Sequence, residues 1–120
     1  MKKILIADDE PNMLKVVKFR LAKMGYDVTI AANGKEALEK AREIKPDLIL
    51  LDFHMPFLNG DEACQLIKAD ATIKHIPVIL MTGSSKKVTE ENIRMIGADD
   101  QILKPFEPEV LLEKVRKFIG

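Results

Sequence analysis

In a chain of 120 residues, nineteen Lys and Arg balance nineteen Asp and Glu, so the formal net charge is zero and no global field points toward nucleic acid. The length makes one domain that buries roughly two-thirds of its unfolded surface, and a lone cysteine, Cys64, excludes an intramolecular disulfide framework and fits a reducing compartment. The apolar segment behind Met1-Lys2-Lys3 runs only from Ile4 to Ala7, too short for a signal peptide or a membrane span, so a soluble cytoplasmic protein is expected.

Lys3 to Ala7 is an apolar run that ends on Asp8-Asp9 and reads as a buried strand. Pro11 suits the first turn of a helix, where its missing donor costs nothing, with Glu10 or Asp9 as cap. Leu14, Val17, Leu21 and Met24 recur at helical spacing and Gly25 supplies the stop. Asp27 to Ala31 is a second strand, polar enough for a sheet edge. Asn33-Gly34-Lys35-Glu36 then predicts a capped helix with an apolar stripe of Ala37, Leu38, Ala41 and Ile44, ended by Pro46.

The stretch Asp47 to Gly60, DLILLDFHMPFLNG, carries four consecutive apolar residues, Leu48 to Leu51, and ends them on Asp52. Such a run predicts a central strand buried on both faces. Asn59-Gly60-Asp61-Glu62 repeats the capping pattern and opens a helix with Ala63, Leu66 and Ile67 inward; Cys64 is a small buried residue on it. Pro77 to Met81 is another strand, ending on Thr82-Gly83-Ser84. A fourth helix is predicted over about residues 87–96, with Lys86-Lys87 as its solvated end. Gln101 to Leu103 is a brief last strand before Lys104-Pro105, and Pro108 starts a final helix with Val110, Leu111, Val115 and Phe118 inward.

Strands alternating with helices predict an α/β fold, a doubly wound five-stranded parallel sheet with five helices. The expected strand order is the flavodoxin-like 2-1-3-4-5, which brings Asp8, Asp9 and Asp52 together at the switch point between the first and third strands. Thr82 and Lys104 also fall at strand carboxyl ends. Carboxylates this close repel by roughly 4 kcal/mol per pair at 4 Å and an effective dielectric of 20. A hard divalent cation, magnesium before manganese, answers that repulsion with oxygen ligands. Asp52 as nucleophile, the metal and Lys104 neutralising phosphoryl oxygens and the Thr82 hydroxyl bonding another match what phosphoryl transfer demands.

In combination and order, ILIADDE, LILLDFHMPFLNG, ILMTGSS and ILKPF resemble the response-regulator receiver domains of two-component signalling, and the likeness spans residues 1–120. The resemblance implies that Asp52 accepts a phosphoryl group from a histidine kinase or histidine phosphotransfer protein. It implies a metal site of Asp8, Asp9, Asp52 and the backbone carbonyl of His54, with Thr82 and Lys104 binding the phosphoryl group. It further implies a cis Lys104-Pro105 peptide, and His54 and Ser84 side chains that tune dephosphorylation.

By the same likeness the fourth helix, fifth strand and fifth helix respond to the modification. They control a downstream partner or a fused output domain, in a monomer or weak phosphorylation-dependent dimer with no direct nucleic-acid or membrane contact. The chain departs from the family at Gln101, where receiver domains commonly carry Tyr or Phe. The glutamine amide either bonds Thr82 or a partner, or is solvated. His75 is expected on the surface, while Phe53, Met55 and Phe57 are expected to pack. A haloacid-dehalogenase-like phosphatase is the enzymatic alternative, but it wants an acid where His54 stands. A flavodoxin-like cofactor binder is weaker still, because acids in the first loop repel a flavin phosphate.

Overall fold

A computed structural model of the chain describes residues 1–83 and 89–120. Among these, five strands alternate with five helices: β1 (Lys3–Ala7), α1 (Pro11–Lys23), β2 (Asp27–Ala31), α2 (Gly34–Ile44), β3 (Leu48–Asp52), α3 (Gly60–Ala69), β4 (Val78–Gly83), α4 (Glu90–Ile96), β5 (Asp100–Lys104) and α5 (Pro108–Ile119). The strands form one parallel sheet in the order β2-β1-β3-β4-β5. The expected fold class and strand order are both present.

Side chains that alternate along each strand feed two cores. Leu5, Ile49, Leu51, Val78 and Leu80 face Ala37 and Ala41 of α2, Ala63, Cys64 and Ile67 of α3, and Ile93 of α4. Ile4, Ile6, Leu48, Leu50, Ile79 and Met81 face Leu14, Val17 and Leu21 of α1 with Leu111 and Val115 of α5. Every residue of β3 is buried, which is why its sequence shows an unbroken apolar run and no alternation.

Several helix details differ from expectation. Met24, Leu66 and Val110 are 48%, 44% and 42% exposed: a helical stripe about 100° wide leaves its flanking positions outside, and Cys64 takes the inward place on α3 that Leu66 was expected to share. Phe118 is only partly buried. Glu10 stands at the start of α1 without a side-chain capping bond, and its own N–H donates to Asp8 Oδ1 at 3.0 Å instead. Helix α4 begins at Glu90, not near residue 87, because Thr89 is extended and its Oγ1 accepts from Asn92 N at 3.1 Å. Ser84, Lys86 and Lys87 lie outside the described residues. Strand β5 extends one residue beyond expectation at each end.

At α2 the two halves of the expected cap are divided. Asn33 Oδ1 accepts from Glu36 N at 2.8 Å, while the Glu36 carboxylate pairs with Lys40 at 2.8 Å. The Lys40 hydrogen bond holds the Glu36 carboxyl below its ordinary value against a small burial effect. At α3 the expected capping box of Asn59 and Glu62 is present: Glu62 Oε1 accepts from Asn59 N at 3.2 Å, and Asn59 Oδ1 also accepts from Met55 N at 3.2 Å. That second bond ties the start of α3 to the loop that follows Asp52.

Candidate functional site

Strands β1 and β3 are neighbours in register, with Ala7 opposite Leu51, so the residues that follow each apolar run arrive at the same end of the sheet. Asp8 is fully buried, Asp52 nearly so, and Asp9 exposed. Each contributes a carboxylate oxygen to a group lying within 4.8 Å of one another. The set is all oxygen and anionic, which suits a hard divalent cation such as magnesium and offers little to a softer metal.

Lys104 reaches this group from the carboxyl end of β5. Its Nζ donates to Asp8 Oδ2 at 2.6 Å and lies 3.2 Å from Asp52 Oδ1. The lysine therefore belongs first to Asp8, a preference the sequence does not reveal. Burial pushes the Asp52 carboxyl above its ordinary value, the charge of Asp8 adds to that, and Lys104 only partly offsets it. Burial alone would pull the Lys104 ammonium down, but the hydrogen bond and charge of Asp8, with the charge of Asp52, outweigh it and leave the lysine above its usual value. Among the described residues one ammonium faces these three acids, which leaves the cluster short of positive charge.

Thr82, 1% exposed, ends the buried part of β4. Its hydroxyl donates to Gln101 Oε1 at 3.3 Å, the first of the alternatives open for that glutamine. The Lys104-Pro105 peptide is cis. The side chain of His54 is exposed and meets Phe53 edge-on, with ring centroids 5.0 Å apart; His75 is exposed as expected. Ser84 falls outside the described residues. Phe53 and Met55 pack against the core, but Phe57 does not: it is 85% exposed with φ +68°. It is the centre of a γ-turn closed by Leu58 N donating to Pro56 O at 2.8 Å, the rarer and strained hand of that turn, and this geometry swings its ring outward.

Two glycines set the height of this loop. Gly60 N donates to Phe53 O at 2.9 Å, and a Cβ at Gly60 would run into the carbonyl oxygen of Asp52. A Cβ at Gly34 would run into the carbonyl oxygen of Leu58 in the same way. Both follow an asparagine at a helix start, so helix entry and close approach are met by one Asn-Gly dipeptide in each case.

The sequence did not disclose a groove of about 720 Å³ between α1 and residues 104–112, walled by Met13, Val16, Met24, Phe106 and Leu112 and reaching Glu10 and Lys104. Its only sequence signal is apolar residues that fall off the buried stripe of α1. Among the described residues no helix is long and apolar enough to cross a membrane.

The DNA-binding response regulator MtrA of Mycolicibacterium smegmatis is 34% identical over 115 residues, covering 96% of this chain and 49% of that protein. The chain thus spans about half the length of such curated relatives. The polar-differentiation response regulator DivK of Brucella anthropi is 35% identical over 119 residues, covering 99% of this chain and 97% of that protein. Among solved structures, response regulator TrrA of Thermotoga maritima in complex with Mg(2+)-BeF superposes with a TM-score of 0.87 at 35% identity, covering 99% and 100% of the two chains. The model of the response regulator receiver domain matches residues 4–116, from the first buried strand to the last helix, and by that match the chain belongs to the receiver domain family of two-component response regulators.

Proposed function

We propose that Asp52 is the residue this receiver domain offers for phosphorylation. The observation that carries the reading is its placement: a nearly buried carboxylate at the end of the central strand, grouped within 4.8 Å of Asp8 and Asp9 and 3.2 Å from the Lys104 ammonium. One oxygen of the ionised carboxylate attacks the phosphorus of a phosphohistidine, the new P–O bond forms as the P–N bond breaks, and the electron pair returns to the imidazole. Asp52 needs no base, because it carries no proton when ionised.

Asp8, Asp9, Asp52 and the backbone carbonyl of His54 are the donors for magnesium, and manganese suits the same oxygens; when bound, the cation supplies neutralisation of phosphoryl oxygens. Lys104, now bonded to Asp8, is placed to bond one of those oxygens, and Thr82 another. The exposed His54 side chain is taken to tune hydrolysis of the product, and the likeness to the family assigns Ser84 the same part, so self-dephosphorylation belongs to the same reading. The donor is a histidine kinase or histidine phosphotransfer protein. The added charge of about −1.5 to −2 biases a two-state equilibrium read on α4, β5 and α5 by a protein target or a fused output domain, in a cytoplasmic setting.

The experiment is intact-mass measurement after incubation with magnesium and acetyl phosphate. The expected result is a base-labile gain of one phosphoryl group that is absent in Asp52→Asn. An adduct that persists in Asp52→Asn, or no adduct in the parent, overturns the assignment.

A further inference from the structure

The Thr82 hydroxyl has one proton to give, and in the structure it goes to Gln101 Oε1 at 3.3 Å. The sheet sets this contact: Leu80 is opposite Gln101 and Thr82 opposite Leu103, so Thr82 and Gln101 are diagonal neighbours on one face, a separation that longer side chains span. Thr82 is 1% exposed, so bulk water does not compete for its proton. At 3.3 Å the bond is long for a hydroxyl donor, whose usual distance is about 2.7–2.8 Å. It is a weak bond, made where bulk water has little access.

A phosphoryl group on Asp52 would claim the same proton. Asp52 is opposite Met81, the residue before Thr82, so the carboxylate and the hydroxyl stand at the same end of adjacent strands. We propose that Gln101 is the positioning residue for Thr82, an amide latch whose Oε1 holds the hydroxyl proton in the unmodified protein and yields it when Asp52 carries a phosphoryl group. The inference rests on the reading of Asp52 as phosphoacceptor. The two bonds exclude each other because a hydroxyl carries a single hydrogen.

The latch makes the site sensitive to what happens beside β5. Gln101 also lines a cleft of about 770 Å³ with Thr89, Ile93, Arg94 and Asp100. Release of Thr82 toward the phosphoryl oxygen and release of the Gln101 Oε1 from that hydroxyl are one event, so whatever favours one favours the other. A polar side chain thus does by hydrogen bonding what an aromatic residue at this position would have to do by filling and vacating space.

Two measurements on the full chain test it. Without any phosphodonor, three-bond couplings to the Thr82 methyl group report its rotamer. One rotamer is expected in the parent, a mixture in Gln101→Leu, and one rotamer again in Gln101→Glu, whose carboxylate accepts the same bond. An averaged rotamer in the parent, or no difference in Gln101→Leu, overturns the latch.

With magnesium and acetyl phosphate, Gln101→Leu is expected to form the adduct about two- to fivefold faster, the equivalent of one weak hydrogen bond. The factor should vanish in a Thr82→Val background. An equal acceleration with and without the Thr82 hydroxyl overturns the proposal, since Gln101 would then act by another route. Absence of any adduct in the parent counts against Asp52 as acceptor, and the rotamer comparison then still upholds or overturns the latch.

Discussion

At the amino-terminal edge of β4 the Lys68 ammonium donates to Asp99 Oδ2 at 2.9 Å and to the carbonyl oxygens of Ile76 and Lys74 at 2.7 and 3.3 Å, while Asp99 Oδ2 also accepts from Val78 N at 2.8 Å. At the opposite edge, Lys104 faces Asp8 and Asp52, with Asp9 beside them. The residue types are the same and the arithmetic differs. Lys68 has one acid and two carbonyls for its three hydrogens, and it pins α3 to the turn before β4 and to the end of the α4 connection. Lys104 has more negative charge around it than it can neutralise, and burial withholds water from the balance. The first cluster is complete as it stands, whereas the second keeps an excess of negative charge, which is what the proposed metal and phosphoryl site requires.

Substitutions at the two lysines divide these roles. In metal-free buffer at neutral pH, Lys104→Met strands the buried Asp8 and Asp52 carboxylates and is expected to lower stability by about 2–3 kcal/mol, discounted from the cost of a fully buried pair because Lys104 is partly exposed. Magnesium should restore much of it, since a ligand at 100 times its dissociation constant contributes about 2.7 kcal/mol. Urea denaturation with and without magnesium reads both effects. A loss that magnesium leaves untouched would remove the contrast between the two clusters.

Lys68→Met is expected to cost about 1–2 kcal/mol, the scale of leaving a buried carbonyl such as that of Ile76 unpaired. The same titration should show no recovery with magnesium. A metal-dependent recovery here would mean that the two edges are coupled.

The smallest effect is a gain. Because the folded-state pKa of Asp52 is raised from 3.8, the fold binds its proton more tightly than the unfolded chain does. Its contribution is fully favourable below the unfolded value and is lost as pH rises through the folded one. Asp52→Asn should therefore be more stable than the parent at pH 7 by about 1 kcal/mol, the scale of relieving a partly screened like-charge contact. The advantage should shrink toward about pH 4. Thermal melts in chelator across this range check the sign, and an advantage that grows on acidification would contradict it.

The alternation of elements and the gathering of Asp8, Asp9, Asp52, Thr82 and Lys104 at one edge were legible because parallel sheets bury both faces and send every strand's end the same way. Pairing inside the site was not legible. Nothing in the order of residues says that Lys104 lies closer to Asp8 than to Asp52, because that depends on side-chain reach across the switch point. Met24, Leu66 and Val110 were placed inward by periodicity and lie outside, since a helical period locates a stripe but not its width. Phe57 was expected to pack because it is aromatic, yet a γ-turn fixes its direction. The start of α4 at Glu90 was not legible either, because it is set by the Thr89 Oγ1 that accepts from Asn92 N.

The two glycines beside the loop extend the site further along the chain than its donor atoms suggest. Gly60 lies under the Asp52 carbonyl, and Gly34, at the start of α2, lies under that of Leu58. A methyl group at either position would lift the loop that bears the His54 carbonyl, so the loop's placement depends on a residue in the crossover that precedes β3. What Gly34 contributes is vacancy: it takes part in the architecture of the proposed phosphoacceptor site by having no side chain to offer.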